Sequence, residues 1–334
     1  MNSIVKISVL LLTVVLICQC EKEQEPVPEQ VIGDTNFLHA LIDQGIDTNG
    51  DSIISEKEAA TVTDLDVYNC GISDMGGIEL FVNLTSLSCA NNNLSNLDLS
   101  SNTALTSLNC YENQLTRLDL NNVNGLYELE CSVNQLTSLD VSNNTDLEFL
   151  SCVGNRLSSL DVSRNPELIA LSCGDNPISS LNVSYNTALS YLYCFNCLLS
   201  SLDVSNNTSL LTLQCGNEPI ESTNNNQMTS LDVSNNTALV ILACNHMNLS
   251  SLDVSNNVDL WLLSCGGNQL TTLDISNNSN LGLDFSATCI LEIADMPSLE
   301  KVCVWELPFP PGGFHLCAEG SPNVYFTNDC TADK

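Results

Sequence analysis

Apolar positions along this chain recur at a fixed offset, not at the 3.6-residue period of an amphipathic helix. Segments such as Leu139-Asp140-Val141 and Leu150-Ser151-Cys152 read apolar, polar, apolar. That alternation places two side chains inward and one outward on a short strand. The aspartate of the first kind of segment stands at 98, 119, 140, 161, 203, 232, 253 and 274. A cysteine of the second kind stands at 89, 110, 131, 152, 173, 194, 215, 244 and 265. Both series step by 21 residues, save one step of 29 that carries 8 inserted residues; Asn182 fills the one gap of 42 in the aspartate series. Self-similarity at such a period is the mark of a solenoid, in which each unit buries its apolar face only against its neighbours.

Each of the nine units is itself double, both halves obeying L-x-x-L-x-[LVIC]-x-x-N. The closing asparagine is expected to turn inward and bond the backbone of the bend, which has no sheet partner. Two such halves in 21 residues leave no room for a helix. The pattern therefore predicts a mostly β, flattened leucine-rich-repeat solenoid with two parallel sheets of short strands. At a strand spacing of ~4.8 Å, nine coils extend about 43 Å.

The unit Leu-Thr-Ser-Leu-Asp-Val-Ser-Asn-Asn-Thr-Ala-Leu, matched best by Met228 to Leu239, resembles the nested 21-residue repeats of Bacteroidota surface lipoproteins. It is distantly similar to the internalins. The departures are Val123, Cys197, Glu218 and Met247 at asparagine places and Asn182 at an aspartate place. The chain divides into a signal peptide (1–20), a tether (21–33), a helical N-terminal cap (34–64), the solenoid (65–285, with an insertion near 216–225) and an irregular β C-terminal cap (286–334). The apolar run from Ile7 to Ile17 is too short to span a bilayer as a helix and suits a signal core. The resemblance implies lipidation at Cys20, with Cys18 the alternative, because the acidic run Glu21 to Glu25 follows Cys20 as an export signal would. It places the protein in the bacterial cell envelope, as an outer-membrane surface lipoprotein or secreted. In the last segment, Cys289, Cys303, Cys317 and Cys330 allow three pairings.

Charge narrows the partners. With 40 acidic and 8 basic residues and a formal charge of −32, nucleic acid and anionic membranes are disfavoured. A membrane is engaged only through the N-terminal lipid, and a monomer is expected.

One segment carries metal chemistry. Residues 47–58 match a calcium loop, which needs oxygens at positions 1, 3, 5, 7, 9 and 12. These are Asp47, Asn49, Asp51, the carbonyl of Ile53, Ser55 and Glu58. Ser52 stands where the motif wants glycine for a left-handed turn, at a cost of ~1 kcal/mol. One Ca2+ at this EF-hand-like loop is expected, structural and weakly held. The cysteine column reads as small hydrophobes at inward sites, since in-register neighbours stand farther apart than a disulfide's Cβ atoms. The aspartate column places like charges ~4.8 Å apart, repelling by about 0.9 kcal/mol per pair even in water. Neighbouring Ser and Thr hydroxyls are expected to offset this, and bound cations are the alternative.

The aspartate half is nearly uniform from coil to coil, whereas outward positions of the cysteine half vary and are rich in aromatics. Tyr111, Tyr127, Phe149, Tyr191, Tyr193, Phe195 and Trp261 are therefore the candidate partner-binding residues. The sequence offers no nucleophile–base pair, phosphate loop or paired acids. Surface binding or adhesion to a protein or glycan is expected. An envelope scaffold, or an accessory glycan-binding protein of a carbohydrate-uptake system, is the alternative.

Overall fold

The computed structural model describes residues 32–217, 225–282 and 289–330. The candidate lipidation sites Cys18 and Cys20, the signal segment, most of the tether and the insertion between 218 and 224 lie outside the described residues.

Two helices open the described chain, α1 (Thr35–Asp43) and α2 (Glu56–Ala59). Asp34 caps α1 by accepting the amides of Asn36 and Phe37, and its other oxygen accepts the amide (2.8 Å) and hydroxyl (2.8 Å) of Ser73 in the first coil. The helix buries Phe37 and Leu41, and the Phe37 ring lies 6.5 Å from that of Phe81. This closes the apolar end of the solenoid, as a repeat fold requires.

The solenoid rests on one 12-stranded parallel sheet. Its strands are β1 (Asp64–Asp66), β2 (Ser86–Ser88), β3 (Ser107–Asn109), β4 (Glu128–Glu130), β5 (Phe149–Ser151), β6 (Ala170–Ser172), β7 (Tyr191–Tyr193), β8 (Thr212–Gln214), β9 (Ile241–Ala243) and β10 (Leu262–Ser264). Beyond β11 (Thr272–Asp274), this sheet continues through β12 (Leu291–Glu292) and, after β13 (Lys301–Cys303), β14 (Leu316–Cys317). The central leucines pair in register from Leu65 through Leu108, Leu150 and Leu192 to Leu263, so one buried column runs the length of the sheet. At ~4.8 Å per strand, twelve strands extend about 53 Å.

Both caps thus prolong the sheet past the nine regular units. Their motif is blurred because other residues take the same jobs. Ile293 replaces the cysteine, and Ser321 replaces the asparagine, donating its hydroxyl to the Ile293 carbonyl (2.7 Å) and accepting the Met296 amide (2.9 Å).

The second sheet is parallel too, but it holds only β11, β13 and β15 (Tyr325–Thr327). There the Ile275 amide bonds the carbonyl of Cys303 (2.9 Å). The middle coils keep only the turn that the β11 coil also makes: the aspartate takes the amide two residues on, as Asp274 does from Ser276 (3.0 Å), and the asparagine amide bonds the carbonyl three residues back, as in Asn144 to Val141 (3.0 Å).

The asparagine expectation is met. Asn134 donates to the carbonyls of Cys110 (2.9 Å) and Cys131 (3.2 Å) and accepts the Leu115 amide (2.9 Å), tying adjacent coils. Glu218 is not the residue at this place in the seventh unit. Asn226 fills it, donating to Cys194 and Cys215 and accepting from Leu199. The insertion therefore falls before the asparagine, whose side chain bonds the buried bend. The four cap cysteines pair as Cys289–Cys317 and Cys303–Cys330. Trp305, Phe314 and Phe326 pack around Phe309, with ring centroids 4.9 to 5.3 Å from it, and cover the far end.

Candidate functional site

The outward side of the 12-stranded sheet presents its side chains in columns set by the register. One column runs Ser107, Glu128, Phe149, Ala170, Tyr191, Thr212. Phe149 and Tyr191 share it, separated only by the small Ala170, and both are exposed. Tyr127 lies just before β4 and accepts the amides of Glu148 (2.9 Å) and Phe149 (3.0 Å) on its carbonyl, so it neighbours both. Tyr127 and Phe149 are 43% and 40% exposed, high for large apolar side chains on an ordered sheet. Tyr111, just beyond β3, is exposed as well.

A second group sits on β7. Tyr191 is exposed, whereas Tyr193 is half-buried, and its phenol is pushed upward by burial and by the neighbouring Tyr191. Phe195 does not project. Its ring lies over Gly174 of the previous coil, so close that a Cβ there would come within 2.8 Å of it. Trp261, half-buried, continues the Tyr127 column but stands six strands away. The structure thus brings Tyr127 and Phe149 together, places Tyr191, Tyr193 and Phe195 on one coil, and leaves Tyr111, at the other end of its strand, and Trp261 apart. Sequence reasoning missed Tyr68, 56% exposed on the same face. Its signal was the spacing to Ala90 and Tyr111, masked because Cys70 stands where the repeat has asparagine.

The face is also acidic. Asp64, Asp66, Glu128, Glu130 and Glu148 lie on it. Between residues 63 and 295 the Lys and Arg residues are Arg117, Arg156 and Arg164, all in the aspartate half. Beneath this face the nine column cysteines are buried. Burial pushes their thiols up, to about 12 at Cys89, Cys215 and Cys265, so they stay protonated and apolar in behaviour.

On the opposite face each aspartate has an architectural partner. Asp140 accepts the Ser142 amide (3.0 Å), Asp203 that of Ser205 (2.9 Å) and Asp253 that of Ser255 (2.9 Å). The serine hydroxyls bond them as well, and together these bonds hold the carboxyls below their ordinary range. Asn182 serves equally, accepting the Ser184 amide (3.0 Å), because the turn asks only for an acceptor.

The candidate calcium loop is well formed. Asp47 accepts the amides of Gly50 (2.7 Å) and Ser52 (2.9 Å), Asn49 that of Asp51 (2.8 Å), and Asp51 that of Ile53 (2.9 Å). Ser52 adopts φ 65°, the left-handed conformation that the motif assigns to glycine. Glu58 takes a different partner set. It accepts from the Ser55 amide (3.0 Å) and hydroxyl (2.7 Å), the hydroxyl capping α2 in return, and from the Thr48 hydroxyl and amide (both 2.8 Å). These bonds hold its carboxyl at about 2. Asp47, Asp51 and Glu58 do not converge to within 4.8 Å. Asp47, Asn49 and Asp51 keep lone pairs for an ion, and Glu58 joins them only by leaving Ser55 and Thr48.

Comparison with known proteins places this geometry. No family model matches the chain. Internalin J of Listeria monocytogenes serotype 4b is 43% identical over 70 residues, 21% of this chain and 8% of that protein. The functional domain of InlJ from Listeria monocytogenes, which includes a cysteine ladder, superposes with a TM-score of 0.73 at 37% identity. That match covers 81% of this chain and 56% of the other, so the chain spans little more than half of the InlJ structure. An internalin, inlF, from Listeria monocytogenes strain 4b F2365 gives a TM-score of 0.66 at 20% identity over 90% of this chain and 92% of its own. A leucine-rich-repeat protein of Leptospira interrogans gives 0.56 at 21% identity, covering 68% of this chain and 62% of that one. The last two speak to the fold alone. The chain is an internalin-like leucine-rich-repeat solenoid.

Proposed function

We propose that this protein is a bacterial cell-surface binding protein that engages a protein or glycan partner through the outward face of its 12-stranded sheet, without catalysis. The observation that carries this is the exposure of Tyr127 and Phe149 on adjacent, rigidly registered coils and of Tyr191 two strands on in the same column, opposite a face whose variation is small. Rigid aromatics lose little entropy on binding and bury large area. The likeness to internalins supports an exterior location, and lipidation at Cys20, or at Cys18, would hold the chain at the outer membrane. A glycan array run beside a panel of immobilised extracellular proteins tests the reading. Binding that Tyr127→Ala with Phe149→Ala weakens at least tenfold is expected on one of them. Binding untouched by that pair would overturn it.

The loop at 47–58 supports one structural Ca2+, held by Asp47, Asn49, Asp51, the Ile53 carbonyl and Glu58, with Ser55 contributing its oxygen or an intervening water. The observation favouring it is the left-handed Ser52 inside a closed set of side-chain turns. Asp47→Ala should lower the melting temperature in millimolar calcium and not in chelator. With a dissociation constant near 1 mM, a ligand at that concentration adds only about 0.4 kcal/mol. Equal loss in both conditions would leave the loop a turn.

A further inference from the structure

We propose that the sheet face across β3, β4 and β5 accepts a cationic polypeptide segment, with a Lys or Arg side chain seated between carboxylates and aromatic rings. This rests on the reading of that face as the contact surface, and it names the partner's chemistry. The registered strands set Glu128 beside Phe149, and the Tyr127 carbonyl bonds the Glu148 and Phe149 amides, so acidic and aromatic side chains alternate at about the strand spacing. Two of the carboxylates are already oriented. Glu128 accepts the Ser107 hydroxyl (3.1 Å) and Glu130 accepts the Ser132 amide (2.8 Å), and among the described residues neither is paired with a Lys or Arg. A guanidinium or ammonium group over a tyrosine or phenylalanine ring is drawn by the ring's face and by each flanking carboxylate at once.

The overall charge does not account for this preference. The aspartate column lies on the opposite face, roughly 10 Å away across the core, and points away from the sheet face. Its carboxylates are bound to their own serines. The acids of the sheet face stand among rings, and among the described residues no basic side chain of their own face neutralises them. Charge of this kind raises the rate of encounter and rejects anionic partners. A neutral glycan would use the rings and ignore the glutamates.

Octa-arginine peptide titrated into the full chain at physiological salt tests the proposal, with a neutral glucose hexasaccharide titrated in parallel. The triple change Glu128→Gln, Glu130→Gln and Glu148→Gln should weaken peptide binding at least tenfold. The equally charged control Asp161→Asn, Asp203→Asn and Asp232→Asn should weaken it less than threefold. Tyr127→Ala with Phe149→Ala should weaken it at least fivefold, with melting unchanged in all variants. Equal losses from the two charge triples, or no loss from the aromatic pair, would overturn the proposal. If the aromatic pair affects the hexasaccharide alone, the face remains the contact surface and the cationic partner falls. If no face change affects either probe, both readings fall.

Discussion

At the residue scale, the repeat constrains function more tightly than identity. The residue just before the ladder asparagine is left-handed in coil after coil: Asn91, Glu112, Gly154, Asp175, Gly267. At Val133 the same turn imposes φ 53° on a β-branched, exposed side chain. A left-handed L-residue costs roughly 1–2 kcal/mol, and asparagine tolerates it best after glycine. Val133→Asn should therefore raise the melting temperature, by about 1 kcal/mol of stability in denaturant titration; a lower midpoint would contradict the strain. The aspartate column predicts a pH dependence. Its carboxyls, Asp98, Asp140, Asp161, Asp203, Asp232 and Asp253, are held below their ordinary value of 3.8 by serine bonds. A lowered folded value gives stability that is present above the unfolded value and is lost as pH falls through the lowered one. Melting should thus fall steeply below about pH 4. Changing Asp140, Asp161 and Asp203 together to Asn should hold the neutral-pH melting temperature, as Asn182 does natively, and flatten the acid slope; an unchanged slope would place the loss elsewhere.

At the element scale, the strand-turn unit was legible because its Leu, Cys and Asn positions each answer one demand: burial, burial, and a bend to bond. Where a different residue met the same demand, the pattern blurred. Ser321 and Ile293 continue the ladder into the C-terminal cap, and β1 begins the sheet before the first cysteine, so the sheet is longer than nine units. The insertion was legible in length but not in place, since spacing cannot say which side of the bend receives the extra residues. Asn226 decides it. Deleting residues 218–225 should join Asn217 to Asn226 and restore the 21-residue step, leaving melting within about 2 °C. Loss of cooperative unfolding would show that the inserted residues hold the bend. The extent of the second sheet was not legible, because the segment reads alike whether it also pairs with a neighbouring coil, as at β11, or closes only its own turn, as at Asp140.

At the scale of the whole molecule, a stiff ladder of coils presents two unlike faces. One is a repeated scaffold of aspartate, serine and buried asparagine. The other varies, and it gathers Tyr127 with Phe149 and Tyr191 with Tyr193 on strands two coils apart. The sequence marked these aromatics as outward but not how they group, because grouping depends on register and on which rings lie down, as Phe195 does on Gly174. Trp261, on the same side, stands apart for the same reason: its strand is far along the ladder. The central claim is that this face, and not the aspartate face, meets the partner. The most direct measurement is the affinity, by biolayer interferometry, of a ligand identified on the array or panel for three forms of the full chain. Tyr191→Ala with Tyr193→Ala should weaken binding at least tenfold at unchanged melting temperature, while Ser142→Ala with Ser163→Ala, which removes the hydroxyl bonds to Asp140 and Asp161, lowers melting and leaves affinity within twofold. The reverse pattern, affinity lost from the serine pair and kept by the tyrosine pair, would contradict the account and move the contact to the aspartate face.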